Sequence, residues 1–171
     1  PSLPLPVNLF RNEGQSKARA NSQGLDLTVA EQAQILLAQA HHLEIPFVPV
    51  ATSEDVVNAA KNAVQAYHEW DKVELSTRCR ILHDAANRLE QELPQFCAIL
   101  VKEAFKTWAD AVSEVREAVD FLRYYADGAE ALTAPARGTF ACISPWNFPL
   151  AIFAGQVVAA LVTGNTVAAK P

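Results

Sequence analysis

Cysteine is scarce in this 171-residue chain, and its three copies, Cys79, Cys97 and Cys142, are odd in number, far apart and never spaced as CxxC. That excludes a disulfide framework and the common zinc patterns, so no metal site is expected; small buried thiols in a reduced, cytoplasmic compartment are. Glycine is scarce as well. None of the six copies falls in a GxGxxG run, so the usual dinucleotide fingerprint is absent. Basic charge is short: 14 Lys and Arg stand against 19 Asp and Glu, for a net charge of −5. A nucleic-acid partner is therefore not expected, because phosphate backbones are met by a basic face. A small anionic ligand is still possible, since it needs only one or two local cations or backbone N–H groups. The first eleven residues hold three prolines and no long apolar core, unlike a signal peptide.

Charge is missing altogether from Gly138 to Ala169. A run of that length raises the question of a membrane span, which needs about 20 apolar residues. Pro145, Asn147 and Pro149 break the run early, and Gly164 and Asn165 break it late. The piece left, Leu150 to Thr163, is one buried helix long. An interior β-α-β unit, apolar on most faces, fits better.

Half of the residues are apolar, enough for a packed core in one domain, or one domain with an arm. Residues 1–51 read as an arm or linker with one helix. Pro, Asn, Gly and Gln fill 1–24, a helical pattern covers 27–43, and the two prolines of 44–51 make an extended connector. Residues 52–135 read as a helical block. Thr52 with Asp55 three places on is a helix start, and Val56, Val57, Ala60, Val64 and Tyr67 supply its apolar face. A second helix opens at Ser76 or Thr77, with Ile81, Leu82, Ala85 and Leu89 inward and Arg78, Asp84, Arg88 and Glu92 outward. A third starts at Pro94. A fourth runs from Trp108 to Ala131, and Pro135 closes the block. Residues 138–171 then change pattern: a strand at 139–143, a turn at 144–149, a helix from 150, a stop at Gly164-Asn165 and a strand from Thr166. This predicts an α/β chain whose helical block precedes a parallel βαβ unit with a right-handed crossover.

In an open α/β sheet, ligands bind beyond the C-terminal strand ends. Those ends here are Ser144–Asn147 and Lys170, expected side by side. The Asn147 amide is a neutral donor suited to charge developing on an oxygen. Lys170 is a point charge suited to a ribose hydroxyl or phosphate. On pattern alone, Asn147 also reads as a turn former ahead of a helix, and Lys170 as a solvated strand-end charge.

The segment Ile143-Ser-Pro-Trp-Asn-Phe-Pro-Leu150, followed by Gly164-Asn-Thr-Val-Ala-Ala-Lys-Pro171, resembles the aldehyde dehydrogenase superfamily. The stretch Glu103-Ala-Phe-Lys-Thr107 resembles that family's E-x-G-K-T/P segment, with Phe105 where glycine is usual. Glu114 to Tyr125 is similar to the Δ1-pyrroline-5-carboxylate dehydrogenase branch, and Arg19 to Leu27 to the linker of bifunctional proline-utilisation proteins. The resemblance implies the first βαβ unit of an incomplete, Rossmann-like NAD-binding domain. It implies that Asn147 donates to the oxyanion of the thiohemiacetal, and that Ile143, Ser144, Pro145 and Trp146 line the nicotinamide side of the cofactor cleft. Lys170 would hold the adenosine ribose of NAD, and Glu117 and Phe148 would flank the aldehyde.

It further implies partners: the rest of the dehydrogenase domain, an upstream proline dehydrogenase barrel carrying FAD, a small aldehyde substrate, and a homo-oligomeric parent. The family's general-base Glu, nucleophilic Cys and cofactor turn are expected beyond Pro171. Cys142 lies in a strand without the partners of a nucleophile, and His41, His42, His68 and His83 match no motif. The family's early β-hairpin has no counterpart around Val50–Ala51. The alternative is a non-catalytic helical and βαβ module kept for assembly or binding.

Overall fold

The computed structural model describes residues 19–171; the part of the predicted arm at 1–18 lies outside them. The helices are α1 (Ala30–His42), α2 (Ser53–Trp70), α3 (Leu75–Gln91), α4 (Leu93–Ala104) and α5 (Trp108–Ala129). They are followed by β1 (Thr139–Ile143), α6 (Ala151–Val162) and β2 (Thr166–Lys170). The sequence expectations for these elements hold to within a few residues. The strands pair in parallel, Thr139 opposite Thr166 and Ile143 opposite Lys170, with α6 as the crossover.

Local chemistry sets most of the boundaries. Thr52 and Asp55 close a reciprocal capping box on α2: the Asp55 N–H donates to the Thr52 hydroxyl at 3.2 Å, and the Thr52 N–H to the Asp55 carboxylate at 2.8 Å. Pro94 sits in the first turn of α4, where a missing N–H costs nothing. Thr107 caps α5 by accepting from the Asp110 N–H at 3.2 Å. Among the described residues no helix is long and apolar enough to cross a membrane.

The core has two parts joined through α5. Leu82 and Ala86 of α3 meet Val119, Leu122 and Ala126 of α5 and Val158 and Val162 of α6. Leu36 of α1 meets Leu93, Cys97 and Leu100 of α4 and Ala111, Val112 and Val115 of α5. Alanines at the contacts let the helix axes approach closely. Gly155 of α6 has the same use, since a Cβ there would lie 3.0 Å from the Phe121 ring.

Three orientation expectations are corrected. Val56, Val57 and Val64 of α2 are exposed; α2 reaches the sheet along a narrow stripe in which Ala63 alone is buried. Thr166 fixes that stripe by donating its hydroxyl to the Ala63 carbonyl at 2.7 Å. Ile81 points outward, and Arg78 points inward and is buried. Its guanidinium donates to the Val162 carbonyl at 2.9 Å and to the carbonyls of Trp70, Asp71 and Val73. It thus serves the C-terminal ends of α6 and α2, where unpaired carbonyls favour a cation. The strands are also less interior than expected: of β1 only Cys142 is buried, because the sheet has two strands among the described residues.

Asn165 does more than end a helix. Its side-chain oxygen accepts the N–H groups of Arg137 at 2.6 Å and Gly138 at 3.0 Å, while its amide donates to the Ala160 carbonyl and the Thr163 hydroxyl. One buried side chain therefore joins the approach to β1 to the end of α6. Asn165→Ala is expected to destabilise the fold by roughly 2–4 kcal/mol, since it orphans buried donors, measured as a lower urea midpoint at constant m.

Phe105 ends α4 in the left-handed region, with φ 54° and ψ 33°. The following N–H, of Lys106, bonds back to the Leu100 carbonyl at 3.3 Å, the closure that usually places glycine here. The Phe105 side chain is 89% exposed and so loses little packing if removed. Left-handed backbone costs a residue with a Cβ about 1–2 kcal/mol. Phe105→Gly is expected to raise stability by about 0.5–1 kcal/mol after the entropy of the free glycine is deducted, read as a higher denaturation midpoint.

Candidate active site

Parallel pairing brings the two predicted strand ends together. Ile143 is opposite Lys170, and Ser144 continues the ladder, its N–H donating to the Lys170 carbonyl at 3.2 Å and its hydroxyl to the same oxygen at 3.4 Å. Ser144 is buried; Ile143 and Trp146 are exposed, as is Asn147 in the turn that follows. The Lys170 ammonium forms no ion pair among the described residues. The turn has one internal hydrogen bond, from the Phe148 N–H to the Pro145 carbonyl at 3.2 Å.

The first turn of α6 ends this loop, and a residue that sequence reasoning passed over holds it. Glu114 of α5 is 2% exposed. One carboxylate oxygen accepts the N–H of Leu150 at 2.9 Å and of Ala151 at 3.2 Å. The other accepts no hydrogen bond of regular geometry, and its partner is the Lys106 ammonium in a direct ion pair. The Lys106 ammonium also lies 4.2 Å from the centre of the Phe148 ring. Helix N-termini are ready-made anion sites, but in α6 a carboxylate of the chain itself occupies that position. That carboxylate takes the N–H groups of Leu150 and Ala151, the first two at this helix start. The signal for Glu114 lay in its spacing, three after Ala111 and four before Ala118, both buried.

Glu117, one turn further along α5, is exposed, so the polar contact from α5 to the turn is made by Glu114 instead. Phe148 is 38% exposed beside Lys106. The structure thus brings Ile143, Ser144, Pro145, Trp146, Asn147 and Lys170 to one sheet edge. Phe148 follows Asn147 in the chain, and its ring meets the Lys106 ammonium.

The segment before α1 docks on the same helical block. The N–H and hydroxyl of Ser22 donate to the Asp120 carboxylate at 3.0 and 2.9 Å, and the Gln23 N–H donates to Glu90 at 2.6 Å. Glu90 also takes a forked pair of bonds from buried Arg123, at 3.2 and 2.8 Å. After α1 the chain runs without a strand from Leu43 to Ala51. His83 faces Asp127 at 3.1 Å on the surface, far in sequence from the turn.

All three thiols are buried and free. Burial pushes Cys97 up to about 12 and raises Cys79 and Cys142, so none supplies a ready thiolate. The folded protein is expected to leave Cys97 and Cys142 unlabelled by a thiol reagent at pH 8, and to expose both in denaturant; fast labelling of native Cys142 would contradict its placement.

A parallel crossover with a neutral amide and a lone cation at its carboxyl edge is an α/β arrangement, and in open α/β sheets ligands bind at such strand ends. Residues 30–171 match the aldehyde dehydrogenase family, and the chain belongs to that family. It is 39% identical over 206 aligned residues to the bifunctional protein PutA of Salmonella typhimurium, covering 100% of this chain and 15% of that protein. The aligned span exceeds 171 residues, so that relative carries residues without a counterpart here. The chain is 40% identical over 140 residues to a 1-pyrroline-5-carboxylate dehydrogenase of a Geobacillus species, covering 72% of this chain and 27% of the relative.

A crystal structure of bifunctional proline utilization A superposes with a TM-score of 0.86 at 37% identity, over 100% of this chain and 19% of that one. A Thermus 1-pyrroline-5-carboxylate dehydrogenase with bound NAD, at 24% identity and a TM-score of 0.79 over 92% of this chain and 40% of that one, shares the fold. The chain spans 15% of the length of its PutA relatives.

Proposed function

We propose that this chain is part of an NAD-dependent dehydrogenase that oxidises L-glutamate γ-semialdehyde, derived from Δ1-pyrroline-5-carboxylate, to glutamate in proline catabolism. The observation that carries the reading is the sheet edge, where the exposed Asn147 turn follows directly on the strand paired with Lys170. The residues suit NAD. Ile143 and Trp146 offer apolar surface, 68% and 78% exposed, and the Lys170 ammonium has no carboxylate partner among the described residues. Ile143, Ser144, Pro145 and Trp146 line the cofactor side, and Lys170 holds a ribose hydroxyl. NAD, when bound, supplies the hydride acceptor.

The chain's own contribution is to orient and to stabilise. The Asn147 amide donates to the aldehyde oxygen as negative charge builds on it, with no proton changing hands. Glu117 and Phe148 flank the aldehyde. The buried thiols here do not serve as nucleophile, so a cysteine and a general base come from the rest of the dehydrogenase domain. Residues 1–51 form the arm, 52–171 the opening part of that domain, and the parent is a cytoplasmic homo-oligomer with an upstream FAD-bearing proline dehydrogenase barrel.

Asn147→Ala in the full-length dehydrogenase is expected to lower kcat by about 10²–10³ while NAD affinity, titrated by fluorescence, stays within about twofold. An unchanged kcat removes the role.

A further inference from the structure

The loop from Ser144 to Leu150 has few hydrogen bonds of its own. Two of its residues are prolines and donate nothing, and its one internal bond is from Phe148 to Pro145. Its start is tied to β2 through Ser144, and its end to α5 through Glu114. Between those ties, the Lys106 ammonium lies against the ring of Phe148, the neighbour of Asn147.

Lys106 is itself braced. It stands in the short connector between α4 and α5, with its N–H bonded back to Leu100 on one side and the Thr107 cap of α5 on the other. Its side chain is 11% exposed and that of Glu114 1%. A cation so enclosed, paired with a carboxylate and stacked on an aromatic face, has few alternative positions.

We propose that Lys106 and Glu114 are positioning residues for the Asn147 turn, Glu114 fixing where the loop enters α6 and Lys106 fixing the Phe148 ring. Together they set the reach of the Asn147 amide and the wall that the aldehyde meets. Neither touches the reacting atoms. The inference rests on the proposed dehydrogenase reading and deepens it: an amide aimed at a developing charge works only when it is held in place beforehand, and misplacement by about 1 Å costs on the order of 100-fold.

The test uses the full-length dehydrogenase, assayed with glutamate semialdehyde and NAD and normalised to folded active sites. Lys106→Met is expected to lower kcat per site by about 10- to 100-fold with the KM for NAD within twofold, and Lys106→Arg, which keeps charge and stacking, to recover most of it. Combined with Phe148→Leu, Lys106→Met is expected to cost no more than the worse single change. If the Met variant does not fold, Glu114→Gln keeps an acceptor for Leu150 and Ala151 but removes the charge facing Lys106, and the same split is expected. Unchanged kcat per site in whichever variant folds, or losses that multiply independently with Phe148→Leu, overturn the positioning role. A wild-type enzyme inactive on the aldehyde would count against the dehydrogenase reading instead, whereas a fully active Asn147→Ala would remove the Asn147 role and the positioning proposal with it.

Discussion

The carboxylate of Glu114 is where the helical block and the βαβ unit become one structure. It stands on the buried stripe of α5, takes the first N–H groups of α6 with one oxygen and meets the Lys106 ammonium with the other. An isolated carboxylate in that position would be prohibitive in free energy, and the pair breaks even only with both partners present. The arrangement therefore requires α4, α5 and α6 to be in register at once. It also fixes which part of the chain follows β1: a loop that leaves the sheet at Ser144 must arrive at Glu114 within six residues.

The other buried polar groups follow the same logic. Arg78 serves the C-terminal carbonyls of α2 and α6, Asn165 joins β1's approach to the end of α6, and Thr166 links β2 to α2. Each satisfies backbone groups that helix and strand ends leave over. Apolar burial holds the helices together in two clusters, but burial is non-directional. The polar ties are what select one arrangement and leave the carboxyl edge of the sheet open.

Much of this was legible in advance. The strand-helix-strand order, the cap at Thr52 and the stop at Gly164 follow from residues acting on their own neighbours. The adjacency of the two strand ends, Ile143 and Lys170, follows from parallel pairing. What misled was side-chain direction. Arg78 read as an outward charge because nothing in α3 itself announces the carbonyls of two other helices. Val56, Val57 and Val64 read as an inward face because apolar spacing does not reveal how narrow the contact with the sheet is. Glu114 carried no motif, and its place on the buried stripe and its reach to the loop come from the packing of α5 against α6.

By itself the sequence determined the elements, their order, the parallel crossover and the family, because periodicity, caps and a contiguous loop motif act over a few residues. The tertiary structure alone decided which charges are buried, that a carboxylate of the chain occupies the N-terminus of α6, and that Phe105 takes a left-handed backbone with no glycine to ease it. Those outcomes depend on groups brought together from up to 84 positions apart, as in the bond from Arg78 to Val162, and local sequence carries no record of such meetings.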